Sequence, residues 1–250
     1  MTEAGWDALT RELDQWPAQG LAARLWLRDD DAVAPTPALE RLIALASRWQ
    51  APVLLAVIPA NATPALAERL AQEPLVDPCQ HGWAHANHAN PGEKKSEFGL
   101  QRPLEAALDN IARGQARMTA LFGARALPVF VPPWNRIAPA VAAALPVLGF
   151  RALSSFGPPP PRPPLIQLNC GLDLIDWRNG RGSLPAAALN ARLTALLAEA
   201  RAQGGAAVGV LAHHLTHDAA AWAYLDRLLA CTRSHTSVSW QSAIRLVENI

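Results

Sequence analysis

The sequence has little of several features that mark common classes of protein. Cysteine occurs three times in 250 residues, at Cys79, Cys170 and Cys231, and no two cysteines have the Cys-x-x-Cys spacing. This excludes a disulfide framework and a thiolate zinc site, and it favours reduced, mostly buried thiols. No run of eighteen apolar residues occurs, which argues against a membrane span and against a membrane partner.

Neither sign of charge dominates the chain. It has 22 lysines and arginines against 21 aspartates and glutamates, and it has no basic block. A nucleic-acid partner is therefore not expected, because phosphate binding needs a basic face. Glycine-rich phosphate loops are missing too, so nothing local indicates a nucleotide cofactor. Residues 1–14 carry acids and lack the apolar stretch of a secretory signal, which favours a cytoplasmic protein.

Half of the residues are apolar, enough for one sizeable core, so we expect a single domain over residues 1–250. Short apolar runs alternate with helical patterns along the whole chain. Strands are predicted at 25–27, 52–58, 75–80, 128–131, 151–155, 165–177, 206–212 and 237–240. Helices are predicted at 37–49, 64–72, 103–122, 139–148, 185–203 and 219–231, with a last helix at the end. This order favours an α/β fold with a parallel sheet, most simply a distorted barrel of seven or eight units; a doubly wound open sheet is the alternative.

Three adjacent carboxylates, Asp29, Asp30 and Asp31, come at the end of the first predicted strand. At a buried strand end they repel one another and lose solvation unless a cation or a functional need sustains them. One carboxylate would bind a metal and another would act as a base. Along a strand, Asp29 and Asp31 would point one way and Asp30 the other, until the chain turns. The alternative is a solvated turn in which one aspartate caps the following loop.

Histidines follow two later predicted strands. His81 and His85 come after the third strand, and His213 and His214 come after a late one. Neutral imidazoles four residues apart suit zinc, and also iron, cobalt or nickel. Barrel enzymes build active sites where successive strands end, so an Asp/His/His site for a divalent metal is expected at that edge.

The order of these motifs resembles that of the polysaccharide deacetylases of the NodB-homology group, which is carbohydrate esterase family 4. Arg28–Ala32 is similar to the aspartate-pair motif of that family, and residues 81–85 are similar to its HxxxH motif. The resemblance implies a distorted (β/α)7–8 barrel in which Asp30 is the base and Asp31, His81 and His85 bind the metal. A match shifted by one residue would make the aspartate pair Asp29 and Asp30. Zinc is the first choice of metal, with cobalt, nickel or iron as alternatives.

Three further motifs extend the resemblance over about residues 25–218. A turn at 131–134 looks like the proline–aromatic turn that lines the substrate groove, residues 173–177 look like a motif ending Asp-Trp, and residues 211–213 look like a motif ending Leu-x-His. These imply that His213 is the catalytic acid, which protonates the leaving amine. The residues expected to contact substrate are Pro133, Trp134, Asn135 and Trp177. Supporting positions are expected at Asp29, Asp176 and His214, with Asp176 orienting His213.

The chain departs from the family pattern at three places. The arginine that orients the base is replaced by Val131, the glycine after the aspartate pair by Ala32, and the hydroxyl residue after the first histidine by Gly82. The expected function is a metal-dependent hydrolase that removes an acyl group, in the first place acetyl, from the amide nitrogen of an amino sugar or related carbohydrate. The alternative is a catalytically inactive relative that binds a carbohydrate or metabolite, which the missing arginine favours. A metal-using barrel enzyme of another reaction type, such as an isomerase, ranks third.

Overall fold

The structure is a computed structural model that describes residues 4–248 of the chain. Its strands are β1 (Ala23–Ala32), β2 (Val53–Val57), β3 (Val76–His81), β4 (Leu127–Val131), β5 (Ala152–Leu153), β6 (Ile166–Gln167), β7 (Cys170–Asp173), β8 (Val208–Ala212) and β9 (Val238–Trp240). Its helices are α1 (Ala4–Leu13), α2 (Pro37–Trp49), α3 (Pro64–Leu70), α4 (Leu104–Phe122), α5 (Pro139–Ala144), α6 (Ala186–Ala202), α7 (Ala219–Arg233) and α8 (Ala243–Glu248). The predicted alternation of strands and helices is confirmed.

The strands form one parallel sheet in the order β6-β5-β4-β3-β2-β1-β8-β7, and β9 pairs with the start of β1. The sheet curls so far that Cys170 of β7 forms a parallel bridge with Phe156, in the segment that follows β5. The strands follow one another around the curl in the order of the chain. A doubly wound fold would need a reversal of that order in the middle of the sheet, so the distorted barrel fits and the open-sheet alternative does not. All strands therefore end at the same edge of the barrel.

Strand β1 lies in the middle of this sheet, and both of its faces are buried. Trp26 packs inside the barrel with Leu54 and the C-terminal helix α8, whereas Leu25 and Leu27 pack against the outer helices. Because side chains alternate along a strand, the interior face continues from Trp26 through residues 28 and 30. The strand thus carries two polar side chains into the upper part of the barrel.

The helix starts follow from their sequences. Thr36 accepts a hydrogen bond from the N–H of Leu39 at 3.1 Å, and Thr63 does the same for Leu66 at 3.4 Å. Each cap precedes a proline at the first helical position, where the missing N–H has no cost. The predicted bounds of α2, 37–49, are confirmed.

One local prediction was wrong, and one helix was missed. The segment 165–177, predicted as one strand and its turn, holds two short strands, because Leu168 and Asn169 leave the line of β6 before β7 begins. Helix α1 was not predicted, although Trp6, Leu9 and Leu13 are spaced for one helical face and are buried against the core that contains α6. Among the described helices, none combines the length and apolarity that crossing a lipid bilayer requires.

Candidate active site

Asp30 faces the barrel interior and is held by Arg28, two residues earlier on the same face of β1. Arg28 Nε lies 2.9 Å from Asp30 Oδ1, and Nη2 donates to Oδ2 at 2.9 Å. Both side chains are almost fully buried. The Nη2 contact is a hydrogen bond and the Nε contact is a close ion pair, so the two groups are joined through two pairs of atoms. The pairing therefore fixes both the position and the orientation of the Asp30 carboxylate.

The remaining donors of Arg28 are also occupied. Nη1 donates to Ser154 Oγ at 2.8 Å and to the Ser155 carbonyl at 3.2 Å, and Nη2 donates to Asn135 Oδ1 at 2.6 Å. Burial by itself would lower the pKa of Arg28, but the attraction and hydrogen bond of Asp30, with smaller contributions from Cys170 and Cys79, together raise that pKa above its usual value. A buried arginine cation with all these partners is a rigid support for an anionic Asp30.

Val131 stands where the family motif has the arginine that orients the base. Val131 is buried on β4, and its carbonyl oxygen lies 3.0 Å from Nδ1 of His81. An arginine beside Asp30 is present nonetheless, supplied by β1 instead of β4. The signal in the sequence was the i, i+2 spacing of Arg28 and Asp30 on a strand, which puts both on one face.

Asp31 turns out of the strand because the chain bulges there. Its φ is +77°, and the pairing of β1 with β2 shifts register between Asp29 and Ala32. Asp31 therefore does not share a face with Asp29. Its Oδ1 atom lies 3.2 Å from His81 Nε2 and 3.4 Å from His85 Nε2. These three side chains come together as the sequence predicted.

The donor set of Asp31, His81 and His85 fits a divalent metal. Ligand atoms of the three residues all lie within 4.8 Å of one another. Tetrahedral ligands about 2.0–2.1 Å from zinc are roughly 3.3 Å apart, close to the two distances found here. The contact of His81 Nδ1 with the Val131 carbonyl assigns the proton to that nitrogen and leaves the Nε2 lone pair directed at Asp31. Asp31 Oδ1 is buried without a hydrogen-bond partner among the described residues, as expected of a ligand atom.

The loop that carries His85 is shaped by Gly82 and Glu97. Gly82 has a φ of +58°, and a Cβ there would lie 2.2 Å from Glu97 Oε2 and 2.6 Å from the Pro133 ring. Glu97 is fully buried and accepts hydrogen bonds from the N–H groups of Trp83 at 3.1 Å and Ala84 at 2.8 Å. This carboxylate thus holds the backbone between the two histidines. Glycine at position 82 is thus required by the close approach of its neighbours.

We expect Glu97→Gln to weaken metal binding about 10- to 100-fold, in the range typical of groups that orient ligands. A glutamine would place an amide N–H₂ against one of two backbone donors, and the loop that positions His85 would shift. A metal-competition titration with a chelator measures this. The matched control is Glu93→Gln, which removes an exposed carboxylate from the same loop. Equal metal affinity in the two variants would contradict the role given to Glu97.

His213 lies opposite the aspartates. Its Nε2 is 3.9 Å from Asp30 Oδ2, and its ring meets the edge of Trp177 at 4.7 Å between centroids. Its Nδ1 is buried and has no hydrogen-bond partner among the described residues. The predicted partner, Asp176, bonds instead within its own turn, to the N–H groups of Arg178 and Asn179. No contact therefore supports the expectation that Asp176 orients His213.

Asp173 lies near His213 at the end of β7, and the sequence predicted no role for it in the site. It accepts hydrogen bonds from the N–H of Ile175 at 3.0 Å and from Trp177 Nε1 at 2.8 Å. Burial raises the pKa of Asp173, and the nearby His213 partly opposes that increase. Through Trp177, whose ring contacts His213, Asp173 fixes one wall around the imidazole. The only signal was its place at the end of β7.

Asp29 and His214 form a separate buried pair on the outer side of β1. The carboxylate of Asp29 accepts from the N–H of His214 at 2.8 Å and contacts His214 Nδ1. Both side chains are inaccessible to solvent. The pair joins β1 to the turn after β8 and so supports the backbone that carries Asp30 and His213. This placement suits supporting positions and disfavours the shifted match that makes Asp29 the base.

A cleft of about 1040 Å³ opens at this edge of the barrel. Nine of the predicted site residues line it: Asp30, Asp31, His81, His85, Trp134, Asn135, Asp176, Trp177 and His213. Three do not, namely Asp29, Pro133 and His214, which are buried.

Pro133 packs over Gly82, and the side-chain oxygen of Asn135 accepts a hydrogen bond from Arg28. Their predicted contact with substrate therefore has less support than that of the tryptophans. The ring of Trp134 contacts that of His85 at an angle of 53°, with centroids 4.2 Å apart.

The chain was compared with known proteins by sequence and by structure. No protein-family model matches it, and no curated protein matches its sequence. A solved structure from Mycobacterium smegmatis, assigned as a polysaccharide deacetylase, superposes with a TM-score of 0.71 at 15% identity over 92% of this chain and 91% of that one. The chain has the fold of the polysaccharide deacetylases. The predicted barrel and the resemblance read from the motifs are confirmed at the level of the fold.

Two further structures of this fold agree. The peptidoglycan deacetylase PdaC from Bacillus subtilis superposes with a TM-score of 0.57 at 14% identity, over 91% of this chain and 92% of that one. A family 4 carbohydrate esterase from Streptomyces lividans superposes with a TM-score of 0.56 at 14% identity, over 86% and 90% of the two chains. Identity this low makes the chain a divergent example of the deacetylase fold, and its chemistry has to be argued from its own residues.

Proposed function

We propose that this protein is a metal-dependent hydrolase that removes an acyl group, in the first place acetyl, from the amide nitrogen of an amino sugar or related carbohydrate. The observation that carries the proposal is the pair of sites side by side in one cleft: a three-residue donor set for a metal, and a buried carboxylate held by an arginine. A binding protein would need neither an oriented base nor an opposing histidine. Fold neighbours that act on polysaccharide or peptidoglycan add support.

In this proposal Asp31, His81 and His85 hold the metal, with zinc the first choice. A divalent metal supplies Lewis acidity toward the substrate carbonyl and the attacking water. Asp30, kept anionic and oriented by Arg28, accepts the proton of that water. His213, whose Nε2 lies 3.9 Å from Asp30 Oδ2, faces the same space and donates a proton to the leaving nitrogen. General acid and base groups of this kind contribute typically ~10²–10⁴-fold each.

The walls of the cleft give the proposed substrate its shape. Trp134 stands beside the metal ligands, and Trp177, which is 44% exposed, stands beside His213. Flat indole faces on two sides suit a pyranose ring held between the base and the acid. The N–H of Trp134, which has no hydrogen-bond partner among the described residues, is the available backbone donor for the developing oxyanion, because the N–H of Asn135 already donates to the Pro132 carbonyl.

The first experiment is elemental analysis of the purified protein after reconstitution with zinc or cobalt, followed by assay of acetate release from N-acetylglucosamine oligomers. We expect near-stoichiometric metal in the wild type and at least a tenfold loss of metal and activity in His81→Ala. The matched control is His88→Ala, which removes an exposed histidine from the same loop. Metal content unchanged in His81→Ala, or no metal in the wild type after reconstitution, would reject the mechanism.

The alternative, a catalytically inactive carbohydrate- or metabolite-binding relative, depended on the arginine missing at position 131. Arg28 beside Asp30 removes that reason. Metal retention without acetate release from any N-acetylated sugar would restore the alternative. A single domain over residues 1–250 and a cytoplasmic location stay predictions.

A further inference from the structure

Four cationic side chains surround the mouth of the cleft. Lys95 and Arg136 line it on the side of the metal ligands, and Arg178 and Arg181 line it on the side of Trp177. Four aspartates, Asp30, Asp31, Asp173 and Asp176, line the same cleft, so the lining side chains balance in charge. The excess of positive charge arises when Arg28, which pairs with Asp30, and a divalent metal are counted. Cations concentrated on both walls of one cleft focus a positive potential into it.

These cations have no ion-pair partner within the described part of the chain. Arg136 Nη1 donates to the carbonyl of Lys95 at 2.8 Å, which ties the two residues of that wall together but neutralises neither. On the opposite wall, Asp176 lies near Arg178 and offsets part of its charge, but the Asp176 carboxylate forms its hydrogen bonds with two backbone N–H groups and the side chain of Asn179. The N–H donors of Arg178 and Arg181 are therefore available to a bound molecule.

The other acids of the cleft have partners of their own, although among them only Asp30 is paired with an arginine. Asp30 is paired with Arg28, and Asp31 belongs to the metal donor set. Asp173 accepts from Trp177 and from its own backbone turn. A divalent metal would add further positive charge. A neutral sugar gives this excess no counterpart, whereas a carboxylate or phosphate matches the forked donors of arginine.

We propose that the substrate of this cleft carries an anionic group, a carboxylate or a phosphate, beside its N-acyl sugar ring, and that Lys95, Arg136, Arg178 and Arg181 bind it. This inference rests on the proposed function and adds the charge of the substrate to it. The ring lies between Trp134 and Trp177, and the anion lies at the cationic mouth. Because Lys95, Arg178 and Arg181 are exposed and Arg136 is half-buried, their effect on binding falls with ionic strength.

Three probes with a common ring test this on the full-length, metal-loaded protein. They are N-acetylglucosamine, N-acetylmuramic acid, which adds a carboxylate, and N-acetylglucosamine 6-phosphate. Isothermal titration calorimetry gives Kd independently of turnover, and acetate release is measured in parallel. We expect at least one anionic probe to bind tenfold or more tightly than the neutral one in low salt, with the ratio shrinking as sodium chloride is added. The comparison of the two anions distinguishes carboxylate from phosphate.

Variants connect the preference to the cleft. Arg178→Gln/Arg181→Gln is expected to reduce the ratio of Kd values at least threefold, and Lys95→Gln/Arg136→Gln to do the same from the other wall. The control is Arg151→Gln/Arg162→Gln, which removes two exposed charges outside the cleft. Equal Kd values for the three probes, no measurable binding of any probe, or a ratio unaffected in both cleft variants would overturn the inference. Anion-selective binding without acetate release would instead reject the proposed reaction and leave this inference standing.

Discussion

Replacement of Arg28 by methionine is expected to lower kcat of acetate release by roughly 10²- to 10⁴-fold, the range of a general base that is no longer oriented. Arg28 makes two contacts of 2.9 Å to the Asp30 carboxylate, and it also joins that carboxylate to Asn135 and Ser154. Without it, Asp30 is a buried charge without a partner. The same substitution should lower the free energy of unfolding by about 3–5 kcal/mol, as for other buried pairs broken on one side.

Two further variants separate the effect of Arg28 on the orientation of Asp30 from its effect on the stability of the protein. Arg28→Lys keeps the positive charge but loses the paired N–H donors of the guanidinium group. We therefore expect partial recovery of stability and an intermediate kcat. Arg28→Met/Asp30→Asn removes both charges, so stability should return toward that of the wild type while activity stays low. Steady-state kinetics and urea unfolding measure these effects. A kcat within threefold of wild type in Arg28→Met would contradict the assignment of Arg28 as the positioning residue for Asp30.

The fold was predictable because its signals are local. Caps at Thr36 and Thr63, apolar strand-like runs and long amphipathic helices each determine an element without reference to the rest of the chain. The parallel order follows from alternation of those elements, and it places the strand ends, with Asp30, His81 and His213, at one edge. The metal donor set was predictable for the same reason.

The parts of the site that were missed depend on contacts between distant segments. The arginine beside Asp30 is an exception: it was expected on β4, but it is Arg28, two residues before Asp30 on the same face of β1. Glu97 reaches the histidine loop from a segment that is irregular in structure, and no periodicity marks it as buried. The positive φ of Asp31 decides which aspartate faces the histidines, and a run of three aspartates carries no signal for that turn.

Gly82→Ala is the second substitution with a large expected effect, because it adds one carbon atom where there is no space. The new Cβ would lie 2.2 Å from Glu97 Oε2 and 2.6 Å from the Pro133 ring, and the alanine would keep a left-handed φ of +58°. Left-handed strain of roughly 1–2 kcal/mol and overpacking of about 1–3 kcal/mol add to an expected loss of roughly 2–5 kcal/mol in the free energy of unfolding. Metal affinity should fall as well, since the loop that carries His85 must move.

The same loop offers a control for backbone strain alone. Gly92 has a φ of +85°, and a Cβ there would meet nothing within 4 Å, so Gly92→Ala has the strain without the clash. Urea unfolding and metal titration of both variants separate the two contributions, and a loss in Gly82→Ala no greater than in Gly92→Ala would show that close packing is not what requires glycine. A larger loss would mean that glycine at position 82 is required by its packing against Glu97 and Pro133. Glycine lets the buried carboxylate reach the backbone of the ligand loop, and the order of that loop then depends on this contact.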